Sequence, residues 1–167
     1  MESLGGPLVI MSNEQLKFWG GNDAKPEKLR TDYERACLID DYLGTIRLND
    51  KEVLVLGDDP SSTSWFSPKP LNRYEIIFVR WIYAPDNDSV QAALHTLDFG
   101  NFQFSGIEID FNSQELILFD SVLTCDDFEI FPGHYCLIPT NSSRYQVDTM
   151  EFKTERIHLL LHGLKSS

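Results

Sequence analysis

The chain has 167 residues, with 26 Asp and Glu against 14 Lys and Arg, a formal net charge of −12. A field of that sign repels nucleic acids and anionic membranes, whose recognition needs clustered Lys and Arg, and it favours encounter with basic proteins. Since 42% of the residues are hydrophobic and 12% aromatic, there is material for a core, and the whole of 1–167 is read as one folded domain. Acidity also serves solubility alone, so charge by itself does not assign a partner.

Gly5-Gly6-Pro7 opens into an apolar stretch, Leu8-Val9-Ile10-Met11, which predicts a short strand. Nothing basic precedes it, so it is not read as a secretory signal. Ser12 and Gln15 stand at capping-box spacing ahead of a short helix over 14–19, which Gly20-Gly21 should stop. After a polar loop over 22–30, Thr31 and Glu34 repeat that spacing. A second helix over 32–41 follows from it, although Cys37-Leu38-Ile39 also fits a strand.

From Thr45 the period changes to that of strands. Residues 45–48 and 52–56 flank Asn49-Asp50-Lys51 as a hairpin, and 57–62 and 67–70 read as loops. Glu75 to Ala84, rich in β-branched and aromatic residues, is the clearest strand; Pro85-Asp86-Asn87-Asp88 ends it ahead of a helical turn or two over 89–97. In Ile107-Glu108-Ile109-Asp110-Phe111 acids alternate with apolar side chains, which predicts a half-buried strand with a negative outer face, pairing with 115–119. Residues 128–131 and 134–138 flank Pro132-Gly133 as another hairpin, and 152–162 is the closing strand. The expected architecture is mainly β (α+β): antiparallel, sandwich-like sheets with two or three short helices, mostly N-terminal. No apolar run is long enough to cross a bilayer, and Cys37, Cys125 and Cys136 read as reduced, mostly buried thiols, so a cytoplasmic protein is expected.

Motifs that carry chemistry are missing. His158 and His162 are four apart, but on a strand their Cα atoms would lie about 13 Å from one another, too far to share a Zn²⁺ with bonds of about 2 Å. No Gly-x-Ser-x-Gly elbow, phosphate-binding glycine loop or dinucleotide fingerprint occurs. Asp86 with Glu151-Phe152-Lys153 mimics a metal-dependent nuclease skeleton, but the overall charge has the wrong sign for a nucleic-acid substrate. The acid doublets 40–41, 58–59 and 126–127 lack an EF-hand frame. No cofactor, metal or catalytic residue is therefore expected. Trp19, Trp65 and Trp81 read as core residues, with Trp65 the exception because a loop tryptophan can anchor a partner.

Five segments in order resemble the Immunity protein 21 family of bacterial polymorphic toxin systems. They are Gly5-Gly6-Pro7-Leu8 with the helix ending at Trp19-Gly20-Gly21; Asp32-Tyr33-Glu34-Arg35-Ala36-Cys37; Tyr42-Leu43-Gly44 before Ile46; Leu54-Val55-Leu56-Gly57-Asp58-Asp59-Pro60 with Thr63 and Trp65; and Val79-Arg80-Trp81. The resemblance implies a cytoplasmic inhibitor that binds and neutralises a cognate toxin domain in the producing cell or its kin, with no catalysis of its own. The charge adds that this toxin domain should be basic, a nuclease being one such chemistry. Arg80, inside an apolar strand, calls for a buried carboxylate, with Asp58 or Asp59 as candidates. Asp58, Asp59, Glu108, Asp110, Asp126, Asp127 and Glu129 are the partner-binding candidates, with Trp65 as anchor. The competing reading is a β-sandwich module that binds a carbohydrate or small ligand through Trp65 and neighbouring acids.

Overall fold

The computed structural model describes residues 1, 3–23, 29–57, 62–68 and 73–167. They form ten strands in two open, antiparallel, five-stranded sheets, as the alternating and β-branched segments predict. The chain divides into two compact units that interleave along the sequence: Met1–Asp59 with Ile109–Arg144, and Pro60–Glu108 with Tyr145–Ser167.

The first unit holds the sheet β2-β3-β1-β7-β8. Its strands are β1 (Leu8–Ser12), β2 (Gly44–Leu48), β3 (Lys51–Leu56), β7 (Glu115–Asp120) and β8 (Tyr135–Pro139). β1 lies between β3 and β7 and is buried along its whole length, which explains why Leu8 to Met11 is continuously apolar. One face packs Val9, Met11, Val53, Val55, Ile117 and Phe119 against Trp19, Ala36 and Leu123. The β2–β3 hairpin forms as expected, with Leu48 opposite Lys51 and Asn49 at φ 53, the left-handed conformation its two-residue turn requires.

Both capping signals precede helical turns, but only one is a cap. Thr31 opens α1 (Asp32–Ala36) with the full reciprocal pair: its N–H donates to Glu34 Oε2 at 2.8 Å, and its Oγ1 accepts from the Glu34 N–H at 3.0 Å. The helix stops at Ala36, five residues short of the expected end. Ser12 caps nothing with its side chain, because it is the last residue of β1, buried and paired with Leu116; the segment Asn13–Phe18 is a 3-10 helix.

Residues shared with the resembled family serve the fold here. The Trp19 indole N–H donates to the Ser121 carbonyl at 3.1 Å, and buried Asp32 accepts from the Gly20 N–H and from Arg35 Nη1, both at 3.0 Å. Gly21, at φ +51, leaves no room for a side chain, since a Cβ would stand 2.5 Å from the Val122 carbonyl oxygen.

The second unit holds the sheet β4-β5-β10-β9-β6. Its strands are β4 (Ser62–Phe66), β5 (Ile76–Tyr83), β6 (Gln103–Asp110), β9 (Arg144–Lys153) and β10 (His158–Ser166). α2 (Asn87–His95) follows β5, capped by Asp86 Oδ1 accepting from the Ser89 N–H at 2.7 Å. It packs Val90 and Ala93 against Ile77, Val79, Leu159 and Leu161.

Five expectations need correcting. Residues 152–162 are not one closing strand: they hold the end of β9, a turn closed by the Thr154 N–H on the Ile157 carbonyl, and the start of β10, which pairs back on β9. Trp65 is not in a loop: it lies on β4, opposite Phe78 of β5, and is half-buried. β6 and β7 do not pair. β6 is mostly exposed and forms the edge of the second sheet, whereas β7, buried on both faces, lies between β1 and β8. Residues 128–131 are no strand, because Cys125–Glu129 is a 3-10 helix. The cysteines are free but not mostly buried, Cys37 and Cys125 being exposed and Cys136 intermediate.

Candidate functional site

The 3-10 turn Cys125–Glu129 is fixed at both ends by one aspartate. The Thr124 N–H and hydroxyl both donate to Asp127 Oδ2 at 2.8 Å, while the Asp127 carbonyl accepts from the N–H groups of Ile130 and Phe131 at 3.0 and 2.8 Å. Phe128 points inward, stacking on Tyr135 of β8 with centroids 4.5 Å apart and meeting Phe119 of β7 edge-on at 5.5 Å. With Phe128 inside and Asp127 engaged, Asp126, Glu129 and Ile130 are left outside.

The chain then turns through Pro132 and Gly133, the latter at φ +97, and the His134 N–H closes on the Phe131 carbonyl at 3.3 Å. The resulting surface is apolar where surfaces are usually polar: Ile130 is 69% exposed, Phe131 40% and Leu137 45%. Leu137 shares the face of β8 that carries Tyr135, two residues along and so about 7 Å away, and Tyr135 is the residue on which the turn's Phe128 stacks.

The other sequence-derived candidates belong to other elements or fall outside the described residues. Glu108 and Asp110 are both exposed on β6, two residues apart, as the alternation predicted. Asp110 lines an open hollow of about 380 Å³ with Arg47, Asp50, Lys51 and Glu52, so two bases stand beside its charge. Trp65 is half-buried on a strand. Asp58 and Asp59 lie outside the described residues, and so does any pairing of theirs with Arg80. Asp126, Asp127 and Glu129 are the candidates that the fold brings together, on one turn.

Sequence reasoning missed the three exposed apolar residues, because reading 128–131 as a strand hides the outward direction of Ile130 and Phe131. It also passed over a signal in plain view: residues 81–143 contain ten Asp and Glu and no Lys or Arg. The turn and β8 lie within that stretch.

The second sheet holds both buried and exposed ionisable groups. On β10, His162 is fully buried, with Nδ1 3.0 Å from Thr149 Oγ1 on β9. Burial first, and the Arg80 charge second, push its pKa down to about 3. Arg80 is itself fully buried on β5, opposite Thr63 and Leu160. His158 instead meets Glu151 at 2.6 Å, so the two histidines that are four apart have separate roles. Glu151 also lines an open groove of about 710 Å³ along β9, together with Leu97, Phe104, Phe152 and Lys153. Among the described residues no three His, Cys, Asp or Glu side chains are grouped to hold a metal ion. No helix among them is long and apolar enough to cross a membrane.

The family model described as Immunity protein 21 matches residues 1–157. Neither a curated protein nor a solved structure matches the chain.

Proposed function

The chain belongs to the Immunity protein 21 family, and we propose that it protects its cell by binding a cognate toxin domain and covering the surface that domain needs for its own activity. That it is an immunity protein follows from the family; the match over residues 1–157 is the observation that carries the reading. The partner's chemistry is inferred from charge. A net charge of −12 favours a toxin domain with a basic face, as a nuclease cleft would present, and it disfavours direct contact of this chain with nucleic acid.

Inhibition by coverage needs a shaped surface and no reacting groups of its own. Its site of action is then the cytoplasm of the producing cell or its kin, in contact-dependent competition. The interleaving of the two units along the chain supports treating 1–157 and the remaining ten residues as one domain, since neither unit is a continuous segment. The reading of Trp65 as a loop platform for a carbohydrate loses its premise, because Trp65 is a half-buried strand residue.

The test is co-expression. Cells producing the toxin domain encoded beside this gene should grow when the chain is supplied and stop growing when it is withheld. Growth arrest despite abundant folded protein would refute the proposal.

A further inference from the structure

We infer that the toxin domain docks on the face made by the Cys125–Glu129 turn and β8, with Ile130, Phe131 and Leu137 as apolar contacts and Asp126 and Glu129 as the charged rim. The inference rests on the function proposed above and names its surface. Three of the large exposed hydrophobic side chains fall within eight residues of sequence, Ile130 to Leu137, and the Phe128–Tyr135 stack ties the turn before them to the strand that carries Leu137. Interfaces draw most of their binding energy from such a centre, surrounded by polar groups.

The surface is also prepared in advance. Asp127 holds the turn at both ends and Phe128 is stacked into the sheet, so little ordering remains to be done on binding.

Charge selects the occupant. The stretch 81–143 has ten acids and no Lys or Arg, so the exposed Asp126 and Glu129 have no sequence-near base to offset them. A second copy of this chain, docked through the same patch about a two-fold axis, would bring these acids against their own images. A basic protein face meets both the apolar centre and the rim. Addition of a strand is the poorer geometry: β8 has five residues and ends on Pro139, which has no N–H to give.

The experiment uses the full chain and the purified toxin domain encoded beside it, with binding followed by surface plasmon resonance. The double variant I130A/F131A should bind at least about tenfold more weakly, mainly through faster dissociation. D126N/E129Q should associate several-fold more slowly at low salt and converge with the parent at high salt. All four side chains are exposed, so both variants should keep the parent's circular dichroism and unfolding midpoint. Failure of the parent chain to bind the toxin domain would refute the underlying function. Parent binding with both variants indistinguishable from it would refute this face alone. A parent dimer that I130A/F131A dissolves, with toxin binding unchanged, would assign the patch to a second copy and overturn the inference.

Discussion

The Phe128 ring stacks on Tyr135 with 4.5 Å between centroids and 16° between planes, and this pair ties the 3-10 turn to the end strand of its sheet. It acts beside the Asp127 bonds that close the turn at both ends. Replacing Phe128 with Ala removes contacts to both Tyr135 and Phe119. The expected cost is about 2 kcal/mol, less than for a wholly enclosed ring because Phe128 is only partly buried. Urea unfolding measures it. Hydrogen exchange should show the amides of Ile130 and Phe131, which donate to Asp127, losing protection first.

Tyr74 lies flat over Gly163 of β10, and a Cβ there would stand 2.6 Å from the Tyr74 ring. The ring cannot readily retreat, because its hydroxyl donates to buried Asp148 at 2.7 Å. Gly163→Ala should therefore destabilise by about 1–3 kcal/mol, against the usual gain from replacing a strand glycine. A thermal unfolding midpoint equal to the parent's would show that the ring has room to move.

His162 should make stability depend on pH over a defined window. Its folded pKa is pushed down to about 3, while an unfolded histidine titrates near its ordinary 6.5. Between these values the unfolded chain takes up a proton that the folded chain refuses. Stability is then fully present above about pH 6.5 and is lost on acidification, by up to about 1.4 kcal/mol per pH unit. Urea titrations of the parent and His162→Gln, compared between pH 7 and 5 where most carboxylates stay charged, should show a steeper loss for the parent. Equal slopes would contradict the burial of a neutral imidazole.

Thr31→Ala deletes one half of the reciprocal cap on α1 and should cost about 1 kcal/mol in chemical denaturation. Ser12→Ala should cost far less as a cap, since its hydroxyl makes no capping bond.

Those two threonine and serine positions show what the sequence could and could not tell. The spacing Thr31-x-x-Glu34 and Ser12-x-x-Gln15 is the same local signal, but Ser12 is already committed to β1 and its ladder, a fact set by the rest of the sheet. Strands were legible in β5 and at the end of β6, where β-branched runs or alternation marked them, but β4 was read as a loop and most of β9 was passed over. Pairing was not, because β6 and β7 are adjacent in sequence yet lie in different sheets. The acids of the turn were legible as charge. The exposure of Ile130, Phe131 and Leu137 was not, since it depends on Phe128 taking the inward position and on β8 ending its sheet. Five ordered segments of the first half pointed to the family; in the structure, Trp19, Gly21 and Asp32 among them hold the fold and are not displayed for a partner.

Inhibition by coverage is stoichiometric, so the decisive experiment titrates the activity of the toxin domain encoded beside this gene. Added protein should abolish that activity in proportion to complex formed, reaching zero at a fixed stoichiometry and without any change to the toxin's covalent structure. Full activity in the presence of a saturating excess of folded protein would contradict the account.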